Sequence, residues 1–335
     1  MTVFASREAT FPGLDERGYG ERARVESELA RRLTAGSAFD DVYAHVLAVP
    51  GKRLRARLVL SCAELGEAPL TPRDRRDAVE LAAVVEMLHE ASLIHDDVCD
   101  GSTERRGAPS VAAAFGVARA ARAGFHLAGE ALRLCADVLD RSDTLRRITP
   151  SSRGAGDGLG ALSFGQLLET VAPAGDVASS RRHYGKVARA KTGTMFRLAC
   201  EMGAAVARCT DVERAALRTF ADRLAVAYQI VDDVRDVEGA ATLGKRRGTD
   251  ASRRTLSWPV IEWLATSPTA RDRWAADDAA LALCDDITAS GATLRARREA
   301  ARVVAEAVDA LRVLRPSAAT RDLADIAART VGDGR

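Results

Sequence analysis

Two clusters of carboxylates carry the strongest chemical signal in the sequence. His95-Asp96-Asp97-Val98-Cys99-Asp100 closes an apolar run, and Tyr228-Gln229-Ile230-Val231-Asp232-Asp233-Val234-Arg235-Asp236 repeats its DDxxD spacing after another. At 3.6 residues per helical turn, Asp96 and Asp100 share a face with Asp97 beside them, as do Asp232 and Asp236. Like charges so placed repel one another and, at a helix C-terminus, oppose the negative end of the helix dipole. Such an arrangement costs stability unless cations compensate. An all-oxygen donor set suits a hard ion, and Mg2+ takes one or two carboxylates together with waters and phosphate oxygens. One cluster alone reads equally well as a solvated acidic helix end. Two, each closing an apolar helix, are far less readily produced by chance. Facing each other across a cavity, the six carboxylates can hold several Mg2+ ions around a diphosphate.

Basic segments accompany the acidic ones. Gly51-Lys52-Arg53-Leu54-Arg55 opens a predicted helix, so its charges and free N–H groups can both meet an anion. Arg105-Arg106-Gly107 follows the first acidic cluster, Lys191-Thr192 lies mid-chain, and Gly244-Lys245 follows the second cluster. Only Lys52, Lys186, Lys191 and Lys245 are lysine, against 45 arginines. The surviving lysines are suspects for work that needs a compact ammonium rather than a planar fork. In an arginine-rich chain any single basic pair is ordinarily surface solvation; it is the coupling of basic to acidic pairs that points to function.

The elements that must position these groups are helices. Helical spacing or punctuation fits 21–34, 38–48, 52–66, 72–100, 110–140 (one or two helices), 161–170, 180–204, 211–238, 255–266, 270–283, 293–314 and 317–331. Thr71 and Pro72 read as an N-cap with proline at N1, Gly101 as the stop, and Leu81, Val84, Val85, Leu88 and Ser92 as one buried face. Residues 149–160 are the clearest loop. No stretch shows sustained period-two alternation, so essentially no sheet is expected. The fold class is therefore all-α, with residues 1–335 as one domain whose first ~20 residues are irregular.

Composition sets limits. The 335 residues carry 49 Lys+Arg against 47 Asp+Glu, a net charge of +2 with no excess to attract nucleic acid. The six cysteines form no CxxC pair, which suits reduced thiols and a cytoplasmic location. The N-terminus has no apolar signal-peptide region, and no apolar run is long enough to span a membrane.

Taken together and in order, these segments resemble the trans-isoprenyl diphosphate synthases of the polyprenyl synthetase family. The resemblance runs from about residue 40 to about 330 and rests on GKRLR (51–55), SLIHDDVCD ending at Asp100, RRG (105–107), GQ (165–166), KT (191–192), YQIVDD (228–233) and GKRRGTD (244–250). It implies a helical bundle around a deep central cavity, usually homodimeric. It implies that Asp96, Asp97, Asp100, Asp232, Asp233 and Asp236 are catalytic metal ligands for about three Mg2+ ions per active site. Arg105, Lys191 and Lys245 would contact the allylic diphosphate, with Thr192 and Gln229 beside it. Lys52, Arg55, His89 and Arg106 would bind isopentenyl diphosphate. Near Thr255, where a lysine is usual, stand Arg253 and Arg254. Ala91 and Ser92, one turn before Asp96, mark where a growing chain passes. Their small side chains imply geranylgeranyl diphosphate or a longer product, with Met87 and Leu88 able to form a floor.

Two other readings stay open at this stage. A class I terpene cyclase would share the ionisation chemistry, but has no isopentenyl diphosphate for the GKRLR segment to hold. A non-catalytic regulatory subunit of a synthase has no reason to keep both carboxylate sets.

Overall fold

The structure, a computed structural model, describes residues 16–34, 36–142, 176–239, 247–266, 268–276 and 279–332, and between these residues 145, 160, 164–165, 167–169 and 171. Its framework is helical: α1 (Glu16–Leu33), α2 (Asp40–Ala48), α3 (Leu54–Ala63), α4 (Pro72–Asp100), α5 (Val111–Phe115), α6 (Val117–Arg141), α7 (Val177–Ala188), α8 (Thr194–Val206), α9 (Asp211–Glu238), α10 (Thr249–Ser252), α11 (Trp258–Leu264), α12 (Pro268–Ala275), α13 (Ala280–Ala289), α14 (Ala292–Ala310) and α15 (Ala318–Gly332). Residues 164–165 and 167–169 are helical as expected. The loop expected at 149–160 lies outside the described residues, except for Gly160, which is helical.

Two long helices dominate, and their ends follow one local grammar. In α4 the Thr71 hydroxyl accepts the Asp74 N–H, the Asp74 carboxylate accepts the Thr71 N–H in return, and Gly101 closes the helix at φ 62°. In α9 Thr210 and Glu213 form the same reciprocal cap and Gly239 closes at φ 76°. These caps satisfy N–H groups that a helix leaves orphaned, and a left-handed glycine ends it without a Cβ clash. Each helix thereby delivers its acidic motif to its last two turns.

Burial makes the pair central. The spacing in α4 predicts one apolar face, but residues 81–88 are all buried, Glu86 included. The helix is enclosed because α6, α3, α1 and α8 pack around it, while α14, α8 and α15 pack on α9. A fully buried Leu or Val contributes ~1.5–3 kcal/mol. The main core takes in both long helices, and a smaller apolar cluster lies under α10–α13.

The structure departs from the sequence expectation in several places: α1 begins at Glu16, inside the stretch expected to be irregular, and the helix expected over 270–283 is two helices, α12 and α13. A two-residue hairpin exists where no sheet was expected: Glu104–Arg105 (β1) pairs antiparallel with Ala108–Pro109 (β2). Strands of two residues are too short to show alternation. Their loop, Arg106 (φ 54°) and Gly107 (φ 77°), has the two positive φ angles of a type I′ turn. The helix expected over 180–204 is interrupted by a π-helical turn, Arg189–Gly193, between α7 and α8. The helix expected from residue 52 starts at Leu54, leaving Lys52 and Arg53 in the preceding loop.

Candidate active site

The hairpin folds the basic segment back onto the first acidic motif. Arg105 Nε lies 3.2 Å from both carboxylate oxygens of Asp97, and its Nη2 closes the ion pair. Asp97 is buried, whereas Asp96 is half-buried and Asp100 exposed. Burial raises the Asp96 carboxyl above its usual range; Lys191 and Arg105 pull it down and Asp100 and Glu169 push it further up.

The second motif is held more tightly. Asp233 is buried and accepts hydrogen bonds from Tyr184 OH (2.7 Å), the Trp258 N–H (3.0 Å) and Gln229 Nε2 (3.0 Å). Burial nevertheless lifts its carboxyl to about 7, against the pull of those donors and with Asp232 adding repulsion. Asp236 accepts the Thr249 and Asp250 N–H groups at 3.1 and 3.0 Å, which docks α10 onto the motif. Asp250 is itself driven well up by burial and by Asp233, Asp236 and Asp232. Asp232 is half-buried.

Three connections bring the motifs together. Arg253, just after α10, bonds Asp100 Oδ2 through Nη1 (2.9 Å) and the Asp100 carbonyl through Nη2 (3.2 Å). Arg254 instead reaches the Ala276 carbonyl at 2.7 Å and lies over the Trp274 ring, so Arg253 is the arginine that faces the acidic ends. The π turn supplies the second link. The Lys191 ammonium bonds Glu169 Oε2 at 2.8 Å and is attracted by Asp96 and Asp100, while Thr192 Oγ1 donates to Gln229 Oε1 (3.2 Å) beside Asp233. Glu169 is the third, since its charge acts on both Asp96 and Asp250. Gly165 allows this approach: a Cβ there would lie 2.7 Å from the Lys191 backbone nitrogen.

Next to the first motif lies a cluster of cationic side chains. His89 is pushed well below the usual imidazole range by burial and by Arg55, Arg106, Arg105 and Arg53, so it is neutral at pH 7. Arg55 stacks on the Phe196 ring at 5.3 Å, and its buried Nε has no hydrogen-bond partner among the described residues. Lys52 is exposed at the rim. Arg53, read from sequence as a possible anion contact, is buried against Glu26, Glu86 and Glu90 and faces carboxylates instead. Ala91 is buried and Ser92 half-buried, its hydroxyl bonded to the His89 carbonyl. Lys245 lies outside the described residues, as does Gln166.

Among the described residues, no three His, Cys, Asp or Glu side chains converge closely enough to cage an ion unaided. Burial lifts Asp96, Asp233 and Asp250, and repulsion from neighbouring carboxylates adds to it; divalent ions would relieve that repulsion.

A comparison with known families gives one match, to the polyprenyl synthetase model, over residues 37–278. The chain belongs to the polyprenyl synthetase family. A geranylgeranyl diphosphate synthase of Mycobacterium tuberculosis is 33% identical over 212 residues, 63% of this chain but 58% of that protein's length. A nonaprenyl diphosphate synthase of the same organism is 32% identical over 248 residues, 73% of this chain and 70% of that one. Among solved structures, a polyprenyl synthase from Caulobacter crescentus, complexed with calcium and isoprenyl diphosphate, superposes with TM-score 0.81 at 27% identity, covering 94% of this chain and 95% of that one.

Both carboxylate sets and the basic segments stand out in the sequence as motifs, whereas Tyr184, Glu169, Glu90 and the π turn do not. Tyr184 and Glu169 carry no local motif and are recruited from separate segments.

Proposed function

We propose that this polyprenyl synthetase family member condenses isopentenyl diphosphate with an allylic diphosphate (dimethylallyl, geranyl or farnesyl) to give an all-trans polyprenyl diphosphate, geranylgeranyl diphosphate or longer. The observation that carries the reading is the meeting of the two acidic motifs through Arg253–Asp100 and Lys191-Thr192–Gln229–Asp233. In this reading Asp96, Asp97, Asp100, Asp232, Asp233 and Asp236 hold Mg2+, about three ions as the resemblance implies. When bound, the ions supply positive charge to the departing pyrophosphate. Arg105, Lys191 and Lys245 clasp the same diphosphate, with Thr192 and Gln229 beside it. Lys52, Arg55, His89 and Arg106 hold isopentenyl diphosphate; the unpartnered Nε of Arg55 and the neutral His89 suit a site that awaits an anion.

The allylic C–O bond breaks with its electron pair leaving on the pyrophosphate. The isopentenyl double bond attacks the resulting cation, and loss of a proton restores an alkene one unit longer. Exclusion of water from the closed site would let the cation survive until it is attacked. Small Ala91 and Ser92 leave room for the growing chain. A cyclase would give the cationic cluster around Arg55 and Arg106 no second diphosphate to hold. We take the working unit to be a cytoplasmic homodimer with the chain as a single domain. The Caulobacter relative's calcium and isoprenyl diphosphate support the metal and substrate class.

The test is incubation of purified protein with Mg2+, isopentenyl diphosphate and each allylic starter, followed by mass analysis. All-trans products of geranylgeranyl length or more are expected. No elongation with any starter overturns the reading; arrest at farnesyl diphosphate overturns only the product length.

A further inference from the structure

Glu90 belongs to no motif that points to diphosphate chemistry, yet one of its oxygens joins two arginines. Its Oε1 accepts from Arg53 Nη1 at 3.1 Å and from Arg106 Nη1 at 3.0 Å. Both arginines adopt the left-handed backbone conformation, at φ 52° and 54°. For residues with a Cβ this conformation is strained and persists only where surrounding contacts over-determine it.

Those contacts are specific. Arg53 is 4% exposed; it bonds Glu26 Oε1 on α1 through Nε at 2.8 Å and Glu86 Oε2 on α4 through Nη1 at 3.3 Å. Glu86 Oε1 in turn accepts the Ala56 N–H at 2.9 Å, anchoring the first turn of α3, which carries Arg55. Arg106 also donates to the Val49 carbonyl at 3.2 Å and lies flat on Gly51, where a Cβ would sit 2.7 Å from Nη2. Glu90 therefore ties the 49–53 loop, with Lys52, to the hairpin tip, with Arg106, one residue from His89.

We propose that Glu90 is a positioning residue for the isopentenyl diphosphate subsite, its Oε1 fixing Arg106 and Arg53 in one geometry so that Lys52, Arg55, His89 and Arg106 present as a preformed cradle. The inference rests on reading those four residues as that subsite. Glu90 acts by accepting two hydrogen bonds at once, so reach matters more than charge. Glu90→Asp keeps the charge but withdraws the oxygens by about 1.5 Å, one C–C bond. Glu90→Gln keeps an oxygen at full reach without the charge.

The experiment measures isopentenyl diphosphate binding by calorimetry without metal, and the KM for each substrate in the elongation assay. Glu90→Asp should weaken isopentenyl diphosphate binding and raise its KM about tenfold, the equivalent of one charge-assisted hydrogen bond, with the allylic KM within twofold of wild type. Glu90→Gln should bind as wild type does. The inference fails if Glu90→Asp binds like wild type, if Glu90→Gln is as impaired as Glu90→Asp, or if both KM values rise together. Wild-type protein that binds no isopentenyl diphosphate overturns the subsite reading itself, and this inference with it.

Discussion

Asp233 is a carboxylate whose surroundings pull in opposite directions. Burial and Asp232 raise it to about 7, while Tyr184, Gln229 and the Trp258 N–H favour its charged form. Removing a donor to the charged form raises the pKa further. Tyr184→Phe should therefore shift the pH at which Mg2+ half-activates the enzyme upward, seen as a displaced acid limb in the activity profile at fixed Mg2+. An unmoved limb would show that Asp233 is not the titrating ligand. His89 gives a prediction of opposite sense. Its folded pKa lies below the 6.5 of a free imidazole, so between that lowered value and 6.5 the unfolded chain binds more protons. Stability is thus complete above 6.5 and declines as pH falls through that window. His89→Asn should flatten this slope in urea unfolding midpoints. At the residue scale the six motif aspartates and Arg105 were legible, because spacing on a helix dictates which carboxylates share a face. Glu90 and Tyr184 were not, since an isolated Glu or Tyr acquires meaning only from what the fold brings beside it.

Elements set the precision with which these groups meet. The limits of α9 matched the expectation over 211–238, and the Thr71-Pro72 start and Gly101 stop of α4 were readable because capping chemistry is local. The π turn at Arg189–Gly193 was not readable: its widened turn comes from packing, with α9 and α8 both against it. Such insertions recur at functional sites because they re-aim side chains. Here the turn carries Lys191 toward Asp96 and Thr192 toward Gln229. Gly165→Ala would drive a Cβ to 2.7 Å from the Lys191 nitrogen and 2.8 Å from the Ala190 carbonyl carbon, both rigid backbone. Overpacking of this kind costs about 1–3 kcal/mol, read as a lowered melting temperature with a raised KM for the allylic substrate. A variant with wild-type stability and KM would remove the close approach from the account. Ala91→Phe tests the other end of the site: products one or more units shorter are expected by mass analysis, and unchanged lengths would move the chain's path elsewhere.

At the scale of the molecule, two helices far apart in sequence must end at one place. No helix among the described residues is long and apolar enough to cross a membrane. Both carboxylate ends are placed by packing of helices against one another. The all-α class was legible from composition and spacing. The meeting of the motifs was only a condition in the sequence, since nothing local records which ends face each other. Arg253 on Asp100, Lys191 between Asp96 and Glu169, and Gln229 on Asp233 meet that condition in the structure. If the two motifs form a single site, they lose function together. The most direct measurement is calorimetry of inorganic pyrophosphate with and without Mg2+, on wild type, Asp97→Asn, Asp233→Asn and the double variant. The account predicts a Mg2+-dependent binding event, lost with a chelator, beyond any metal-free binding at the cationic cradle. It also predicts tenfold or greater weakening in each single variant, about 1.4 kcal/mol or more, and a double-variant loss well short of the sum. Absence of a Mg2+-dependent event, or losses that simply add, would contradict it.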